Sequence, residues 1–519
     1  MSYKFTAYKE AFRGFQFLSK HQRLGLWREI KGEFLKTSPV NNVTFSKYIF
    51  GKSSLPYANL IIHQYSADKL LSNWLNNKIL RYFSTNKPIA FPLPKIWQTL
   101  LGKFDFKVSK SSTILFCGVI LINFIKSILF GVSFIFKLKN NDLYLDKNKN
   151  YVHFLNLTSS NIPKSTLIEN NFDLISWYVL NINNNANILH DVKNVYYPYE
   201  YMNSSLAYSS NPCLNLNGFT NRLYFVLWLF RAVFISITDL FFGKWHHAFI
   251  LSEAIKAKVF SLNTDLANEY LIAYSGQSYT PMWIYDLKER GIKCSCYFYA
   301  TFEQPSFNQN HLNSEFLLYS WPNSYFWDKS QFSKFVNSSS YVKSGEIVGP
   351  IWFSDNGECV SKYDRPYIVI FDIPPHRKFF HFGTSTLTDY VEYNIDLYSN
   401  FFNDILFCAE QLDILVVHKT KRDIGVRAVK SYTALLKKLS SNKYYKTVSP
   451  DISPIKLIDK SIGVLSMSFT STAIYGRDRC KPSIYYDPVD WINTNDPAAH
   501  GIQIVSGKEK LKQWLTEIL

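Results

Sequence analysis

The spacing of apolar and polar residues divides the chain into two kinds of sequence. Within residues 1–110, apolar positions such as Phe12, Phe15 and Leu18 recur at helical spacing beside Lys and Arg, which predicts a largely helical region. From about residue 150 onward, short apolar runs alternate with longer amphipathic segments. That alternation predicts a mostly parallel sheet covered by helices, and therefore the α/β fold class.

The short apolar runs of the second kind of sequence have the length of buried strands. They predict strands at Val152–Leu157, Leu271–Tyr274, Lys293–Phe298, Phe316–Tyr319, Ile347–Ile351, Tyr367–Phe371, Leu412–Val417, Ile462–Leu465 and Ser483–Tyr486. A segment rich in Asp, Asn, Gly and Pro separates the fifth strand from the sixth. We therefore predict a basic, mostly helical N-terminal region at 1–150, followed by two Rossmann-like units at 151–354 and 366–519.

Two longer apolar runs stand out, at 113–136 and at Leu223–Phe242. The first has the length of a membrane-spanning helix, but Asn123 and Lys126 lie near its centre, where a charge is costly in a bilayer. Three interpretations stay open: buried or amphipathic helices of a large α/β protein, an interfacial helix beside the basic region, and a true span.

The charge is concentrated at one end of the chain. The net charge is +17, and residues 1–110 hold 18 Lys and Arg against 5 Asp and Glu, which leaves 18 − 5 = +13 there. Such a surface suits an anionic membrane, an anionic glycan or nucleic acid, but no nucleic-acid-binding motif accompanies it. We therefore expect a cytoplasmic protein that binds peripherally to the inner face of the cytoplasmic membrane, with no nucleic-acid partner.

The cysteines point to neither a disulfide framework nor a zinc site. There are seven, and none forms a CxxC pair. A reducing cytoplasm fits this usage. P-loop and GxGxxG motifs are absent, and no DxD-type pair follows a predicted strand. We therefore expect a site that needs no metal and no cofactor.

Four successive strands in the second unit are followed by polar or charged residues. Because the carboxyl ends of parallel strands meet at one edge of a sheet, these residues are expected to line one crevice. Basic and hydroxyl groups there favour an anionic ligand, and the phosphate of a nucleotide sugar is the natural candidate. The predicted donor-binding residues are His376, Arg377, His418, Lys419, Lys421, Arg422, Ser468, Thr470, Ser471, Thr472, Tyr486 and Asp487.

Several of these residues also have an ordinary structural interpretation. The hydroxyl cluster at 468–472 is typical of a helix N-cap after a strand. The basic stretch at 419–422 is also typical of a solvated loop. Asp487 precedes Pro488, where an aspartate often caps a turn. His500 either reaches the cleft between the two units or caps the final helix.

Glycosyl transfer with inversion needs a carboxylate base beside the acceptor hydroxyl. Glu303 follows a predicted strand and is the first candidate. Asp286 lies on the preceding helix, and Asp372 follows the first strand of the second unit. Each of the three also has a structural alternative.

The chain resembles a bacterial polysaccharide-biosynthesis family named for its Pro-Phe-Thr-Ser motif. That motif stands here as Ser468-Phe-Thr-Ser471, with Ser468 in place of the proline. Further similar blocks are Pro281-Met-Trp-Ile-Tyr285, Gly349-Pro-Ile-Trp-Phe353, Ser483-Ile-Tyr-Tyr-Asp-Pro488 and His500-Gly-Ile502 before a last helix with Trp514. Ala300 and Phe302 replace a serine and an asparagine of the family.

The resemblance implies a GT-B arrangement of two Rossmann-like units and glycosyltransferase-like chemistry. The basic pair His418-Lys419 and the later hydroxyl cluster are also similar to the His-Pro and Ser-Ser/Thr motifs of bacterial sialyltransferases, which use CMP-activated sugars. The implied function is a metal-independent glycosyltransferase of surface polysaccharide biosynthesis. Its donor would be a nucleotide-activated sugar, with a CMP-activated acidic sugar as one candidate, and its acceptor a glycan or a lipid-linked glycan.

Two other functions stay open at this point. A protein of GT-B shape without catalytic activity would serve as an assembly or membrane-scaffold protein for polysaccharide synthesis. A basic nucleic-acid binder is the third possibility, and it rests on charge alone.

Overall fold

The computed structural model describes residues 3–17, 20–38, 47–50, 58–71, 73–136, 152–155, 216, 218–263, 266, 269–274, 280–298, 300–301, 317–339, 341–342, 345–347, 349, 363–375, 395–420, 428–450 and 452–519. The strands in these ranges are β1 (Val152–Leu155), β2 (Glu269–Tyr274), β3 (Lys293–Phe298), β4 (Asn323–Phe326), β5 (Glu346–Ile347), β6 (Tyr367–Phe371), β7 (Leu415–Lys419), β8 (Tyr445–Val448), β9 (Gly463–Ser466), β10 (Ser483–Asp487) and β11 (Gln503–Ser506).

The α-helices fall into an N-terminal set, a pair of long apolar helices and the helices that follow. They are α1 (Tyr3–Phe17), α2 (Lys20–Lys36), α3 (Lys47–Phe50), α4 (Ala58–Leu70), α5 (Asn73–Thr85), α6 (Lys95–Lys103), α7 (Ser111–Phe136), α8 (Phe219–Phe241), α9 (His246–Leu262), α10 (Met282–Glu289), α11 (Lys329–Ser338), α12 (Ile395–Gln411), α13 (Lys430–Leu439), α14 (Pro454–Lys460), α15 (Ser471–Asp478) and α16 (Lys508–Ile518).

The first sheet contains β1 to β5 in chain order, and all neighbouring strands are parallel. The helices that pack on it belong partly to the N-terminal region: one hydrophobic core runs from Ile30 of α2 through Trp97 of α6 to Val342. Gln64 of α4 adds polar contacts, because its side chain donates to the Ser320 hydroxyl at 2.8 Å and accepts from the Thr280 N–H at 3.1 Å. The helical region and the first sheet therefore share one interior.

The second sheet is also parallel throughout, with the order β11-β10-β9-β6-β7-β8. Helices α12, α13 and α16 cover one face, where Ile370, Leu465 and Tyr486 enter the core. Helix α15 packs on the other face against β9 and β10. A sheet of this order with helices on both faces is a Rossmann-type, doubly wound unit.

The α/β fold with parallel sheets is therefore confirmed, and β6 matches its predicted limits. The strand predicted at Phe316–Tyr319 is wrong: residues 317–320 form a turn, and the strand lies at Asn323–Phe326. The first segment is the more apolar of the two, but only the second, Asn323–Phe326, pairs with β3. The strands β8 and β11 were not predicted.

The apolar runs at 113–136 and Leu223–Phe242 form α7 and α8. In the described part of the chain, these are the two helices long and apolar enough to cross a membrane. Each has a buried stripe and an exposed apolar face. The helices are therefore not fully buried, and the amphipathic, interfacial and spanning interpretations stay open.

Candidate functional site

The order of the second sheet creates a switch point between β6 and β9. The chain moves outward in one direction from β6 through β7 to β8, and in the other from β9 through β10 to β11. Connections leave the sheet on opposite sides at such a point, and a crevice opens at the carboxyl ends of the two central strands. The Met467 N–H donates to the Phe371 carbonyl at 3.0 Å, so the chain after β9 remains against the end of β6.

The Ser468-Phe469-Thr470-Ser471 motif lies at this switch point. The Thr470 N–H donates to the Met467 carbonyl at 3.3 Å and closes a four-residue turn, in which Ser468 is the second residue and Phe469 the third. Phe469 has a positive φ of 60°, as the third residue of a type II turn requires. Its ring packs edge-on against Tyr485, with the centroids 5.3 Å apart. The second position suits proline, which explains the place of the family's proline.

Helix α15 begins directly after this turn. Thr470 is its N-cap residue with φ −71° and ψ 135°, but the side chain of Thr470 makes no capping hydrogen bond. Instead, the Thr472 hydroxyl lies 3.2 Å from the hydroxyls of both Ser466 and Thr470. The first N–H groups of a helix have no partner within it, so those of Ser471 and Thr472 can bind an anion.

The hydroxyl residues of the motif are accessible at the carboxyl edge. Ser468, Thr470, Ser471 and Thr472 are all half-buried rather than enclosed. The Tyr485 hydroxyl of β10 donates to the Thr470 carbonyl at 3.0 Å and so holds the start of α15 against the sheet. The structure therefore brings together all four predicted hydroxyl residues at one point.

Asp372, which follows β6, lies in the interior of the unit rather than in the crevice. It is 2% exposed, and its carboxylate accepts from His418 Nε2 at 3.0 Å and from the Tyr432 hydroxyl. His418 is fully buried, and its Nδ1 lies 2.5 Å from the Tyr445 hydroxyl. Burial, followed by the charge of Asp372, raises the pKa of Tyr432. The predictions of Asp372 as a base and His418 as a donor ligand do not fit this placement.

The buried network supports the loop that forms the other wall of the crevice. The Tyr398 hydroxyl donates to the Ile373 carbonyl, and the Val429 N–H donates to the Pro375 carbonyl at 3.0 Å. Two consecutive prolines, Pro374 and Pro375, further restrict the backbone. These contacts hold residues 373–375 against α12 and the start of α13.

Two other predicted donor-binding residues, Lys419 and Tyr486, form hydrogen bonds within the protein. The Lys419 ammonium is nearly buried and donates to the Pro450 carbonyl at 2.8 Å. The Tyr486 hydroxyl donates to Asp404 at 2.8 Å inside the core.

Asp487 follows the structural alternative. Its carboxylate accepts from the N–H groups of Val489 at 3.1 Å, Trp491 at 2.7 Å and Ile492 at 2.8 Å. Burial raises the pKa of Asp487, although these three bonds act in the opposite direction. The residue caps the turn after β10.

Of the remaining predicted site residues, Asp286 lies on α10, and the others lie outside the described residues. Asp286 of α10 lies close enough to Lys258 of α9 for its charge to raise the pKa of that lysine, which burial lowers. Asp286 therefore lies on the side of α10 that faces α9. His376, Arg377, Lys421, Arg422 and Glu303 lie outside the described residues.

Asp328 of the first unit contacts His500 of the second, a contact that the sequence predicted only in part. Asp328 follows β4 and caps α11, and both of its carboxylate oxygens lie 2.8–2.9 Å from His500 Nδ1. Arg477 of α15 donates to the His500 carbonyl at 2.5 Å and to Asp328 at 3.4 Å. Burial alone would raise the pKa of Asp328, but the hydrogen bond and charge of His500, a backbone N–H and the charge of Arg477 lower it. The positive φ of His500, 54°, turns the chain into this contact.

One group of side chains in the described ranges could hold a metal ion, and it lies far from the switch point in the sequence. Asp239, His246 and His247 bring their ligand atoms within 4.8 Å of one another in the turn between α8 and α9. Burial lowers the pKa of His246 to about 4, which favours the neutral imidazole. His247 Nδ1 already contacts the Asp239 carboxylate. The group is consistent with a structural hydrogen-bonded cluster.

Comparison with known proteins gives a family match by sequence and matches to six chains of solved structures. The family model described as "Polysaccharide biosynthesis PFTS motif protein" matches residues 229–515, which is more than half of the chain. No curated protein matches the chain. A solved structure that matches is the UDP-GlcNAc 2-epimerase of Methanocaldococcus jannaschii in complex with UDP-GlcNAc and UDP. The TM-score is 0.30 and the sequence identity 13%, and the match covers 71% of this chain and 92% of that one.

Proposed function

Because the chain belongs to the polysaccharide biosynthesis PFTS motif protein family, and so has a general role in polysaccharide biosynthesis, we propose that it is a glycosyltransferase that uses a nucleotide-activated sugar. In this proposal the second unit binds the donor and the first unit presents the acceptor across a GT-B-like cleft. The acceptor is a glycan or a lipid-linked glycan of the surface polysaccharide.

One observation carries the proposal: the family's motif stands at the switch point and starts α15. The uncapped first turn of α15, with its half-buried hydroxyls, supplies donors for a phosphate group. Phosphates bind at such helix starts because the N–H groups and the helix dipole both favour negative charge. The donor's phosphate would therefore contact Ser471 and Thr472.

Basic residues near the same edge would complete the donor site. His376 and Arg377 follow the loop after β6, and Lys421 and Arg422 follow β7 and Thr420. In the proposal these four residues contact the phosphate. Lys419 and His418 instead hold the carboxyl end of β7 in place through their buried contacts. A donor with a single phosphate, such as a CMP-activated acidic sugar, is the more specific version of the proposal.

The transfer itself needs a base and a stabilised leaving group. A carboxylate takes the proton of the acceptor hydroxyl, whose oxygen bonds to the anomeric carbon of the donor sugar. The bond from that carbon to the phosphate oxygen breaks, and the nucleotide leaves with the electron pair. Donors aimed at the phosphate stabilise this charge. Since Asp372 is buried and Asp286 faces α9, Glu303 is the proposed base.

A non-catalytic assembly protein is the second candidate function. The observation that favours it is the loss of polar residues next to the predicted base, because Ala300 and Phe302 replace a serine and an asparagine of the family. Such a protein would still use the same fold to bind a sugar nucleotide or glycan without turning it over.

The first experiment is a calorimetric titration of the purified chain with CMP, UDP and GDP. The proposal predicts saturable binding of one nucleotide in preference to the other two, and selective binding of CMP would indicate an acidic-sugar donor. Binding without turnover of any sugar donor would favour the assembly protein. Lack of affinity for all three nucleotides would reject the donor site, and tight DNA binding with a steep salt dependence would favour the third function.

A further inference from the structure

Helix α7 presents a continuous apolar face to solvent. One stripe of the helix, with Phe116, Phe124 and Gly131, is buried against the protein. The opposite stripe is exposed, and it includes Ile114 at 74% and Leu129 at 64%. In a soluble helix these outward positions are normally polar.

Helix α8 has the same organisation. Its buried positions include Phe225, Trp228 and Leu229. Its outward residues recur every three or four positions and are large and apolar, and they are Leu223, Leu227, Phe230, Phe234, Ile237 and Phe241. Phe230 is 78% exposed and Phe241 is 87% exposed, so the face is not covered by another part of the described chain.

The two helices lie side by side and antiparallel, so their outward faces form one surface. Near the end of α7, the Ile135 carbonyl accepts from Arg222 at the start of α8 at 3.5 Å. In the middle, a Cβ on Gly131 would lie 2.9 Å from the Leu229 side chain, which shows how closely the helices approach. At the other end, Phe116 packs edge-on against Trp245, just after α8, with the centroids 5.1 Å apart.

Helix α9 determines how this surface could meet a bilayer. It lies along the inner side of both helices: Phe249 near its start packs on Phe116, Ile255 lies against Gly131, and the carbonyl of Leu262 at its end accepts from Asn221 at 3.1 Å. Most of its own residues are buried. If α7 and α8 crossed a bilayer perpendicular to its plane, α9, which is about 25 Å long, would therefore enter the hydrocarbon together with its charged residues.

The charges at the border of the surface fit an anionic headgroup layer. Lys107 and Lys110, before α7, and Lys244, after α8, are exposed at the same end of the pair. Lys126 is exposed among the apolar residues of α7, where its long side chain can reach the headgroups if the helix lies flat. The acidic Asp105 is exposed near this end, but Asp239 is turned inward to His247. Cations thus outnumber anions there.

We propose that the outward faces of α7 and α8, here called the docking face, lie in the plane of an anionic lipid bilayer and hold the protein on its surface. The apolar side chains enter the boundary between headgroups and acyl chains, and the lysines contact the headgroups. The bilayer in question is the inner face of the cytoplasmic membrane. This inference is independent of the proposed transfer reaction, because the docking face and the switch point share no residue.

The test is co-sedimentation of the full chain with vesicles, one kind made of phosphatidylcholine alone and the other of equal parts phosphatidylcholine and phosphatidylglycerol. Binding to the mixed vesicles should be stronger and should weaken in high salt. A variant with both Leu129→Asp and Phe230→Asp should lose about tenfold or more in affinity, because two apolar side chains no longer enter the bilayer. Val489→Asp is the control, since Val489 is an exposed apolar residue of the second unit, away from the docking face, and its change should leave vesicle binding unaltered.

Each outcome decides the proposal. Loss of binding in the double variant but not in the control, with circular dichroism unchanged, supports it. Protein that remains on vesicles through salt and alkaline washes and is released by detergent alone would overturn the in-plane geometry in favour of a span. A dimer in light scattering that the double variant converts to a monomer, without vesicle binding, would show that a second copy covers the docking face.

Discussion

At the scale of single residues, Phe469 shows what the switch point demands of its sequence. A phenylalanine with φ 60° occupies a region that suits glycine, and it does so directly beside the predicted phosphate contacts. That conformation costs a residue with a Cβ about 1–2 kcal/mol, which the packing of the ring on Tyr485 must offset. Strained residues of this kind are concentrated at functional sites.

The strain predicts an unusual order of stability between two variants. Both Phe469→Ala and Phe469→Gly lose the ring, but only glycine also relieves the positive φ. The glycine variant should therefore be more stable than the alanine variant by about 0.5–1 kcal/mol in urea unfolding. At the control position Phe335, inside helix α11, the order should reverse by about 1 kcal/mol in favour of alanine. If alanine is the more stable at both positions, Phe469 is not strained.

Asp372 and His418 show why the chemistry of single residues could be predicted only in part. Their polarity at strand ends suggested a ligand site, but β7 continues through Lys419, so His418 is still a strand residue when its side chain enters the core. Its partners Asp372 and Tyr445 are 46 and 27 residues away. Local sequence carries no sign of such a pairing. The hydroxyl residues were predicted better because strand, turn and helix start follow one another directly.

At the scale of elements, helix α15 depends on a close approach to the sheet. A Cβ on Gly476 would lie 2.2 Å from the Ser483 hydroxyl and 2.6 Å from a methyl group of Val464. Glycine at this point lets the helix lie on β9 and β10 with its first turn at the switch point. A larger residue would shift the helix and the predicted phosphate contacts together.

Gly476→Ala is therefore expected to destabilise the protein by about 1–3 kcal/mol, because the clash exceeds the roughly 1 kcal/mol gain in helix propensity. Nucleotide affinity should fall as α15 moves. Gly102→Ala in helix α6 is the matched control: a Cβ there meets nothing within 4 Å, so stability should rise by about 0.5–1 kcal/mol. Urea unfolding measures the stability of both variants. An equal gain in stability in both would contradict the close approach of α15 to the sheet.

The predicted strand limits matched best at Lys293–Phe298 and Tyr367–Phe371, and the apolar run at Phe316–Tyr319 gave a wrong prediction. Tyr367–Phe371 is entirely buried, and its run of apolar residues gave its limits. The edge strands β8 and β11 are short and contain polar residues that face solvent, so they have no apolar run. The order of the strands, which creates the switch point, follows from pairings that a single sequence does not show.

At the scale of the whole molecule, Asp328 and His500 join the first unit to the second. The hydrogen bonds between them connect the N-cap of α11 to the turn before β11, and Arg477 adds the last turn of α15. One of the two alternatives for His500 placed it at the cleft between the units, and its ring contacts Asp328 of the first unit. The N-terminal helices belong to the same body as the first sheet, because they share its core.

The lowered pKa of Asp328 predicts how the contact responds to acid. An aspartate whose pKa is lower in the folded protein stabilises it above the unfolded value, near pH 4, and loses that contribution as the pH falls through the folded value. Asp328→Asn should therefore be less stable than the parent at pH 7, and the difference should shrink below about pH 4.

Thermal unfolding across this pH range measures the effect. Asp459→Asn serves as the control, because Asp459 pairs with Arg479 on the surface, where both side chains are more than a third exposed, and such pairs contribute little. A pH profile for Asp328→Asn that parallels the parent's at every pH would contradict the assigned role of this carboxylate.

The central claim is that the first turn of α15 binds the donor's phosphate through its N–H groups, and two variants of Ser471 test it most directly. Ser471→Ala removes the hydroxyl alone, whereas Ser471→Pro also removes the N–H. Proline is favoured at the first position of a helix, and Thr470 before it, with φ −71° and ψ 135°, already has the conformation that a following proline requires. Both variants should therefore fold.

The measurement is the calorimetric affinity of each variant for the nucleotide that binds the parent best. We expect Ser471→Pro to bind at least about tenfold more weakly than Ser471→Ala, since a hydrogen bond to a charged phosphate contributes roughly 1.5–3 kcal/mol. Equal affinities of the two folded variants would contradict a phosphate site at the start of α15.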